Sequence, residues 1–448
     1  MPVIKNRRGL DLPIHGAVES SVIEDRLDIG TVGLVPRESH GLKCRPLVQE
    51  GDRVASGAPV YADRRDPNTL YTAPVSGTVR AIERGARRAV LSIQIDRDGN
   101  DEARSFDVAS AKKDASALRS LMLESGLWST LRQRPFDRVP ASDATAGALF
   151  VTAHDSRPLA PQPLDVLAGA SEPFRVGLEA LRRLTEGKTY LCTKAGSDWS
   201  ALTPDGVETV AFDGPHPSGT AGLHIHRLHP VGVGRSSWHI GYQSVADVGR
   251  LLLTGAVPTT RVVALVGPDA RAPRLVRTLR GASTAELLAG ESTARDLRAI
   301  DGSVLEGREC SPGTPGGFLG RYSNQITLLE NETRRRLLNW AFPLDGRFTE
   351  TNTLWDKWIR RRLVFDTDTN GSLRAIVPIG QFERVMAFDI LPTQLIKALA
   401  SGDVELAEKL GVLEIAEEDL ALCQYVDNSK QPLTEMLREM LTEIENEG

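Results

Sequence analysis

Residues 47–85 read LVQEGDRVASGAPVYADRRDPNTLYTAPVSGTVRAIERG, and their pattern decides the fold of the N-terminal part. Short runs rich in Val, Tyr and Thr alternate with turn formers: Gly51-Asp52, Gly57, Asp66-Pro67-Asn68, Pro74 and Ser76-Gly77. This spacing predicts a compact all-β unit. Glycine reaches positive φ without a Cβ clash and so suits the tight turns. The two halves echo each other. One reads V-x-x-GD-x-V-x-x-G from Val48, the other AP-x-SG-x-V-x-x-I-x-x-G from Ala73.

The doubled pattern resembles the biotinyl/lipoyl hammerhead, a barrel-sandwich hybrid. A carrier domain of that kind needs an exposed lysine at the hairpin tip, because the cofactor is joined through its amine. Here the tip reads ADRRDPNTL and holds no lysine. An arginine guanidinium is not a usable nucleophile. The expectation is therefore the fold without the carrier chemistry, in a structural or docking role.

Outward from this unit, 448 residues suggest two to four domains at about 150 residues each. A hydrophobic fraction of 41% and a charged fraction of 25% exclude global disorder. No run approaches the roughly 18 apolar residues that a membrane helix needs. The opening MPVIKNRRGLDLPIHG has basic residues but no apolar run behind them, so no secretory signal is expected. The four cysteines, Cys44, Cys192, Cys310 and Cys423, lie far apart. They give neither a disulfide framework nor a CxxC site, and a reducing, cytoplasmic setting is expected. The net charge of −5 argues against a nucleic-acid binder. Residues 401–448 carry thirteen Asp/Glu against three Lys/Arg, an acidic surface that is solvated or docks on a basic face.

Between residues 101 and 255 helical and strand signals alternate, which predicts an α/β layer. Residues 116–131 and 173–184 read as helices; 148–153, 189–192 and 207–212 read as strands. The connection DGPHPSGTAGLHIHRLHPVG follows. Its Gly214, Gly219 and Gly222 invite a phosphate-loop reading but match neither the dinucleotide nor the Walker pattern. Five of the eight histidines lie between His216 and His239. His224, His226 and His229 suggest a metal. Strand alternation, however, would put His229 on the opposite face from the other two, and a histidine-rich turn is the plainer expectation. From 260 to 320 a strand TRVVALVG, a strand–turn–helix PRLVRTLRGASTAELL and turn-rich loops fit a small β-grasp-like module. A strand over 325–329 leads into a helical region with helices over 393–410 and 433–444. Residues 354–364 (LWDKWIRRRLV) form a basic, Trp-bearing amphipathic pattern, read as a helix that packs on the core or lies at a membrane surface.

Motifs in fixed order then converge. They are KNRRGLDLPIHG, TAPVSGTVRAIERGARR, ESGLWSTLRQRPFDRVP, FDGPHPSGTAGLHIH, RVVALVGP, PRLVRTLRGAS, GSVLEG, FLGRY, TNGSLRAIVPIGQFERVMAFDILPT and EEDLALCQYV. Together, from Lys5 to Val426, the chain resembles the A-subunit family of the Na⁺-translocating NADH:quinone oxidoreductase (Na⁺-NQR). The resemblance implies an α/β multidomain chain. Its parts are a barrel-sandwich hybrid at 1–100, a Rossmann-like α/β domain at 101–256, a β-grasp (SLBB-like) module at 257–330, and a mainly helical domain with an acidic tail at 331–448. It implies a peripheral subunit on the cytoplasmic face of the bacterial inner membrane, associated with the quinone-reducing end of a six-subunit Na⁺ pump. Its partners would be the other five subunits, membrane-embedded flavoproteins above all. Ubiquinone would be the substrate of the complex, and NADH, FMN, riboflavin and Fe–S centres would sit on partner subunits.

The resemblance extends to the flavin subunit of complex I and to the C-subunit of the Rnf complex. Those relatives carry a glycine-rich flavin loop of the type GxGGAGFPT. Here Pro140 fits its last proline, but Arg134, Pro135, Phe136 and Asp137 stand where backbone must approach a phosphate. The relatives' cysteine clusters are reduced to Cys423 alone, and a cluster needs about four thiolates. No flavin, cluster or metal is therefore expected on this chain. A quinone site needs an apolar slot with donors near the carbonyl oxygens. Val35, His40 and Leu42 in one segment, and Trp128, Arg134 and Phe136 in the other, are the candidates; no catalytic residue is assigned. Against this stands a plainer set of roles: Trp128 in the core, Phe136 as a packing anchor, His40 in a solvated loop. The rival function is a ligand-free assembly protein of the same or a related membrane redox complex.

Overall fold

The computed structural model describes residues 2–331, 362–369 and 371–447. Residues 47–85 fold as the turn pattern requires. Gly77–Arg84 pairs antiparallel with Val90–Arg97 and Arg53–Val54, and Thr31–Leu34 closes the far side. Cys44–Pro46, Pro59–Asp63 and Leu70–Thr72 form the facing sheet. Val32, Val60, Tyr71, Val79, Ile93 and Ile95 fill the space between them. The lysine-free tip is docked: Asp66 accepts from the amide and hydroxyl of Ser142 in the next module.

The α/β module is built on a six-stranded sheet. Numbered along the chain, its four long parallel strands Ala148–Ala153, Lys188–Lys194, Val207–Asp213 and Ser237–Gly241 lie in the order 3-2-1-4. That is one wing of a doubly wound sheet. Val3–Lys5 extends one edge in parallel, and Arg132–Arg134 closes the other antiparallel. The first thirty residues thus do not stay with the barrel. Ile23–Arg26 joins the sheet of the β-grasp module instead. Both short strands cover sheet edges that would otherwise expose unpaired backbone groups.

Side chains alternate along Ala148–Ala153. Leu149 and Val151 face the helices Ser171–Leu181 and Tyr242–Thr254; Ala148 and Phe150 face Ile225. The two helices cross through Gly177 and Gly249. A methyl on Gly177 would collide with the Val245 carbonyl, and one on Gly249 with the Pro173 carbonyl. The expected helix over 116–131 stops earlier. Ala115–Glu124 is helical, Gly126 turns left-handed at φ 77°, and a short 3₁₀ turn Leu127–Thr130 follows. The histidine-rich connection is not a strand: a turn over 216–219 leads straight into a helix. Thr220 caps a helix, Ala221–Leu228, by accepting from the Leu223 amide.

The second six-stranded sheet holds Thr260–Val266, Arg274–Leu279, Leu297–Asp301, Arg308–Glu309 and Gln325–Glu330, with the short helix Thr284–Leu287. From Gln381 onward the described residues are helical. The helix expected over 393–410 is broken: Gly402 ends Pro392–Ser401 at φ 68°, and Asp403 caps Val404–Lys409. Glu417–Val426 and Leu433–Glu447 complete the bundle around Phe382, Phe388, Leu420 and Leu437. The amphipathic pattern at 354–364 lies outside the described residues except for its last three. Among the described residues no helix is long and apolar enough to cross a membrane.

Candidate functional site: a cavity shared by four modules

In an open α/β sheet the ligand crevice lies beyond the carboxyl ends of the strands, where the strand order reverses. Here that place is between Ala148–Ala153 and Ser237–Gly241. A cavity of about 1110 Å³ opens there. Every module contributes to its wall. Val35, Glu38 and His40 come from the barrel; His154, Arg157, Ile240 and Tyr242 from the parallel sheet's end; Leu305, Glu306 and Tyr322 from the β-grasp module; Glu417, Glu418 and Arg438 from the C-terminal helices.

The hairpin at 132–138 shapes one side. Gln133 and Arg138 exchange backbone hydrogen bonds, and Phe136 and Asp137 are held at φ 76° and 51°. Non-glycine residues in the left-handed region persist only where their surroundings over-determine them. Those surroundings are charged. Arg132 donates to Asp137 at 2.5 Å and its guanidinium lies 4.1 Å from the Tyr322 ring centroid. Arg134 is 1% exposed and bonds Glu418 and Asp419 at 3.0 Å each, with Asp137 at 3.2 Å. His239 approaches Asp137 at 2.8 Å. Arg157 pairs with Asp155 at 3.3 Å, Glu306 at 2.8 Å and Glu418 at 3.2 Å. Against the pull of burial, Arg132 and Arg134 hold the Asp137 carboxyl well below its usual range.

The two candidate segments fare differently. Val35 and His40 line the cavity. His40 stands 3.6 Å from Glu417, yet burial outweighs that carboxylate and lowers its pKa to about 4. Leu42 packs half-buried on the barrel core. Trp128 is wholly buried; its indole N–H donates to Pro140 O at 2.8 Å and its ring meets Trp238 edge-on. Arg134 is spent on its three carboxylates, and Phe136 packs against the C-terminal helical core while its carbonyl accepts from Arg438. Only Val35 and His40 of the six therefore meet at the cavity wall.

Wall residues Arg132, Arg157, Tyr242, Glu306 and Tyr322 escape the sequence reading. A local signal exists for two of them. Arg157 follows a buried strand, and Tyr242 begins a helix directly after Gly241 at a strand end, the usual place of ligand groups in such sheets. The phosphate-loop reading of the glycines meets packing instead. A side chain at Gly214 would strike the Asn6 carbonyl, one at Gly219 the Ser156 amide, one at Gly222 the Asp419 carboxylate. Nor do the histidines converge. His224 Nε2 is 3.0 Å from Ser218 O, His226 Nδ1 2.7 Å from Glu414, and His229 Nδ1 3.0 Å from Ser237. Among the described residues no group of three or more His, Cys, Asp or Glu is placed to hold a metal.

Fold and cavity define a class: a barrel-sandwich hybrid, a doubly wound α/β module, a β-grasp sheet and a helical bundle, all closing on one cavity. Family models match in the same order. They are the NqrA N-terminal barrel-sandwich hybrid domain at residues 4–98, the NqrA second alpha/beta domain at 113–257, and the NQRA C-terminal domain at 262–311. The A-subunit of the Na(+)-translocating NADH-quinone reductase of Neisseria meningitidis serogroup C is 43% identical over 451 residues, covering all of both chains. That of Shewanella amazonensis is 44% identical with the same coverage. The chain belongs to this NqrA family. Among solved structures, an NAD⁺-reducing [NiFe]-hydrogenase in the H2-reduced state overlaps 49% of this chain and 48% of that one, with a TM-score of 0.37 and 12% identity.

Proposed function

We propose that this chain is a peripheral, cytoplasmic-face component of a Na⁺-translocating NADH:ubiquinone reductase, placed at its quinone-reducing end. Full-length identity of 43% to a protein named as the NqrA component of that enzyme is the observation that carries the reading. The four-module cavity is the place we assign to the quinone ring. Val35, Ile240, Leu305 and Tyr322 supply an apolar and aromatic wall, and Arg132, Arg157, Tyr242 and Glu306 supply polar groups beside it. The volume lies just above the usual range for small-molecule pockets, which suits a ring with the start of a tail. The other five subunits, membrane-embedded flavoproteins foremost, are the partners.

In this reading the chain carries no redox group of its own. The residues that replace a flavin loop, Arg134 to Asp137, are committed to ion pairs and to helix packing. Cys192, Cys310 and Cys423 are buried in three separate cores, and burial pushes each thiol up. Thiols in that condition are poor metal ligands. NADH, the flavins and the iron–sulfur centres are assigned to partner subunits. Titration of the purified full chain with a short-tailed ubiquinone analogue, read by tryptophan fluorescence, is the test. Saturable binding, weakened by Tyr322→Ala, is expected. A chain that binds no analogue, alone or in the complex, would instead favour a purely bracing role.

A further inference from the structure

Behind the cavity wall five carboxylates share three guanidiniums. Asp137, Asp155, Glu306, Glu418 and Asp419 face Arg132, Arg134 and Arg157. None of the five acids is more than a fifth exposed: the side chains are 11%, 6%, 18%, 16% and 0% accessible in that order. Two acids in excess within a low-dielectric cluster cannot all stay ionised, so the cluster retains a proton. His239 touches Asp137, at the far end from Glu306.

The hydrogen-bond pattern locates the proton. Glu418 spends one oxygen on Arg134 and the other on Arg157. Asp137 is bonded through both oxygens, to Arg132 and His239. Asp155 accepts from the Arg157 amide and guanidinium. Glu306 sets Oε1 against Arg157, while its Oε2 is buried with no partner, and Asp419 Oδ1 shares that condition. An ionised oxygen buried without a donor is costly; a protonated one is much less so. Of these two acids only Glu306 stands on the cavity wall.

We infer that Glu306 is the proton-holding group of the cavity, and that it protonates one ring oxygen of the quinone as the quinone is reduced. This rests on the quinone reading above. When two electrons from NADH reach the quinone, a ring oxygen gains negative charge. The Glu306 O–H bond breaks and an O–H bond forms on that oxygen. The carboxylate left behind is held by Arg157, and a proton from water restores the acid. The second ring oxygen takes its proton from water. Charged groups on each neighbouring element fit the role. Burial raises the Glu306 pKa to about 7; Arg157 on the loop after Ala148–Ala153 opposes this, and Glu418, Asp155 and Asp419 reinforce it. On the same β-grasp module, Arg308 is engaged by Asp301 and Glu38.

Infrared titration of the ligand-free full chain tests the protonation by itself. The carbonyl stretch of a protonated carboxylic acid is expected to vanish as pH rises through about 7, and to be missing in Glu306→Gln. A band titrating near 7 that survives E306Q, or no band there, overturns the inference. In the intact complex, kcat/KM for a ubiquinone analogue is expected to fall above that pH by up to about tenfold per unit. E306Q, an uncharged donor that cannot release a proton, flattens that profile and lowers kcat. Unchanged profiles in E306Q refute the inference. A normal infrared band with no analogue binding at any pH would sink the quinone reading while leaving the protonation standing.

Discussion

Arg134 ties two modules together with a single side chain. It rises from the hairpin at 132–138 and meets Glu418 and Asp419 on the helix Glu417–Val426. Its replacement by alanine leaves Asp419 without a guanidinium and takes one of their partners from Asp137 and Glu418. Breaking such a pair by removing one member costs about 3–5 kcal/mol. Arg134→Ala should therefore lower the denaturant midpoint strongly, whereas Arg134→Met with Asp419→Leu should recover part of the loss. Buried histidines supply a second test. Burial lowers the pKa of His40 and His154 from 6.5 to about 4 and that of His216 and His224 to about 3. Each is neutral in the fold and gains a proton on unfolding, so between those values and 6.5 the unfolded chain binds more protons. The histidines' contribution to stability is complete above about pH 6.5 and falls as the pH drops toward 4 and 3. Chemical denaturation at stepped pH checks this; a midpoint that holds level from 6.5 down to 4 would contradict it.

Elements are legible where local chemistry fixes them. The turn formers of 47–85 and the alternation of 148–153 announce their strands, because glycine turns and strand faces depend only on near neighbours. The helix break at Gly402-Asp403 follows from the same chemistry, a left-handed glycine and then a capping aspartate, but the longer apolar period masks it. The helix Ala221–Leu228 hides behind its histidines, although Thr220 caps it. Packing between elements is not legible. Nothing in the sequence shows that Gly177 and Gly249 let two helices touch backbone to backbone. Gly249→Ala forces them apart and should cost about 3 kcal/mol, the upper range for overpacking. An alanine at Gly290, where a Cβ meets nothing but φ is 74°, should cost about 1 kcal/mol through backbone strain alone. Thermal unfolding of the two variants separates the effects.

At the scale of the whole molecule, the cavity exists only where four modules meet. Its wall draws on residues from Val35 to Glu439. Composition and periodicity see one element at a time, which is why Tyr322 and Glu306 escape a reading of the sequence. The same limit explains Trp128: an aromatic beside a replaced loop reads as a clamp until Trp238 and the Pro140 carbonyl enclose it. The commitment of the 134–137 hairpin to structure predicts a purified chain with no stoichiometric visible absorbance. A yellow or brown preparation would reverse that assignment.

The most direct measurement is photolabelling of the intact complex with a ubiquinone analogue that carries its reactive group on the ring. Label should fall on this chain, in peptides spanning 130–157 and 301–325, and unlabelled ubiquinone should displace it. Label confined to the partner subunits, or undiminished by competing quinone, would contradict a quinone site in this cavity.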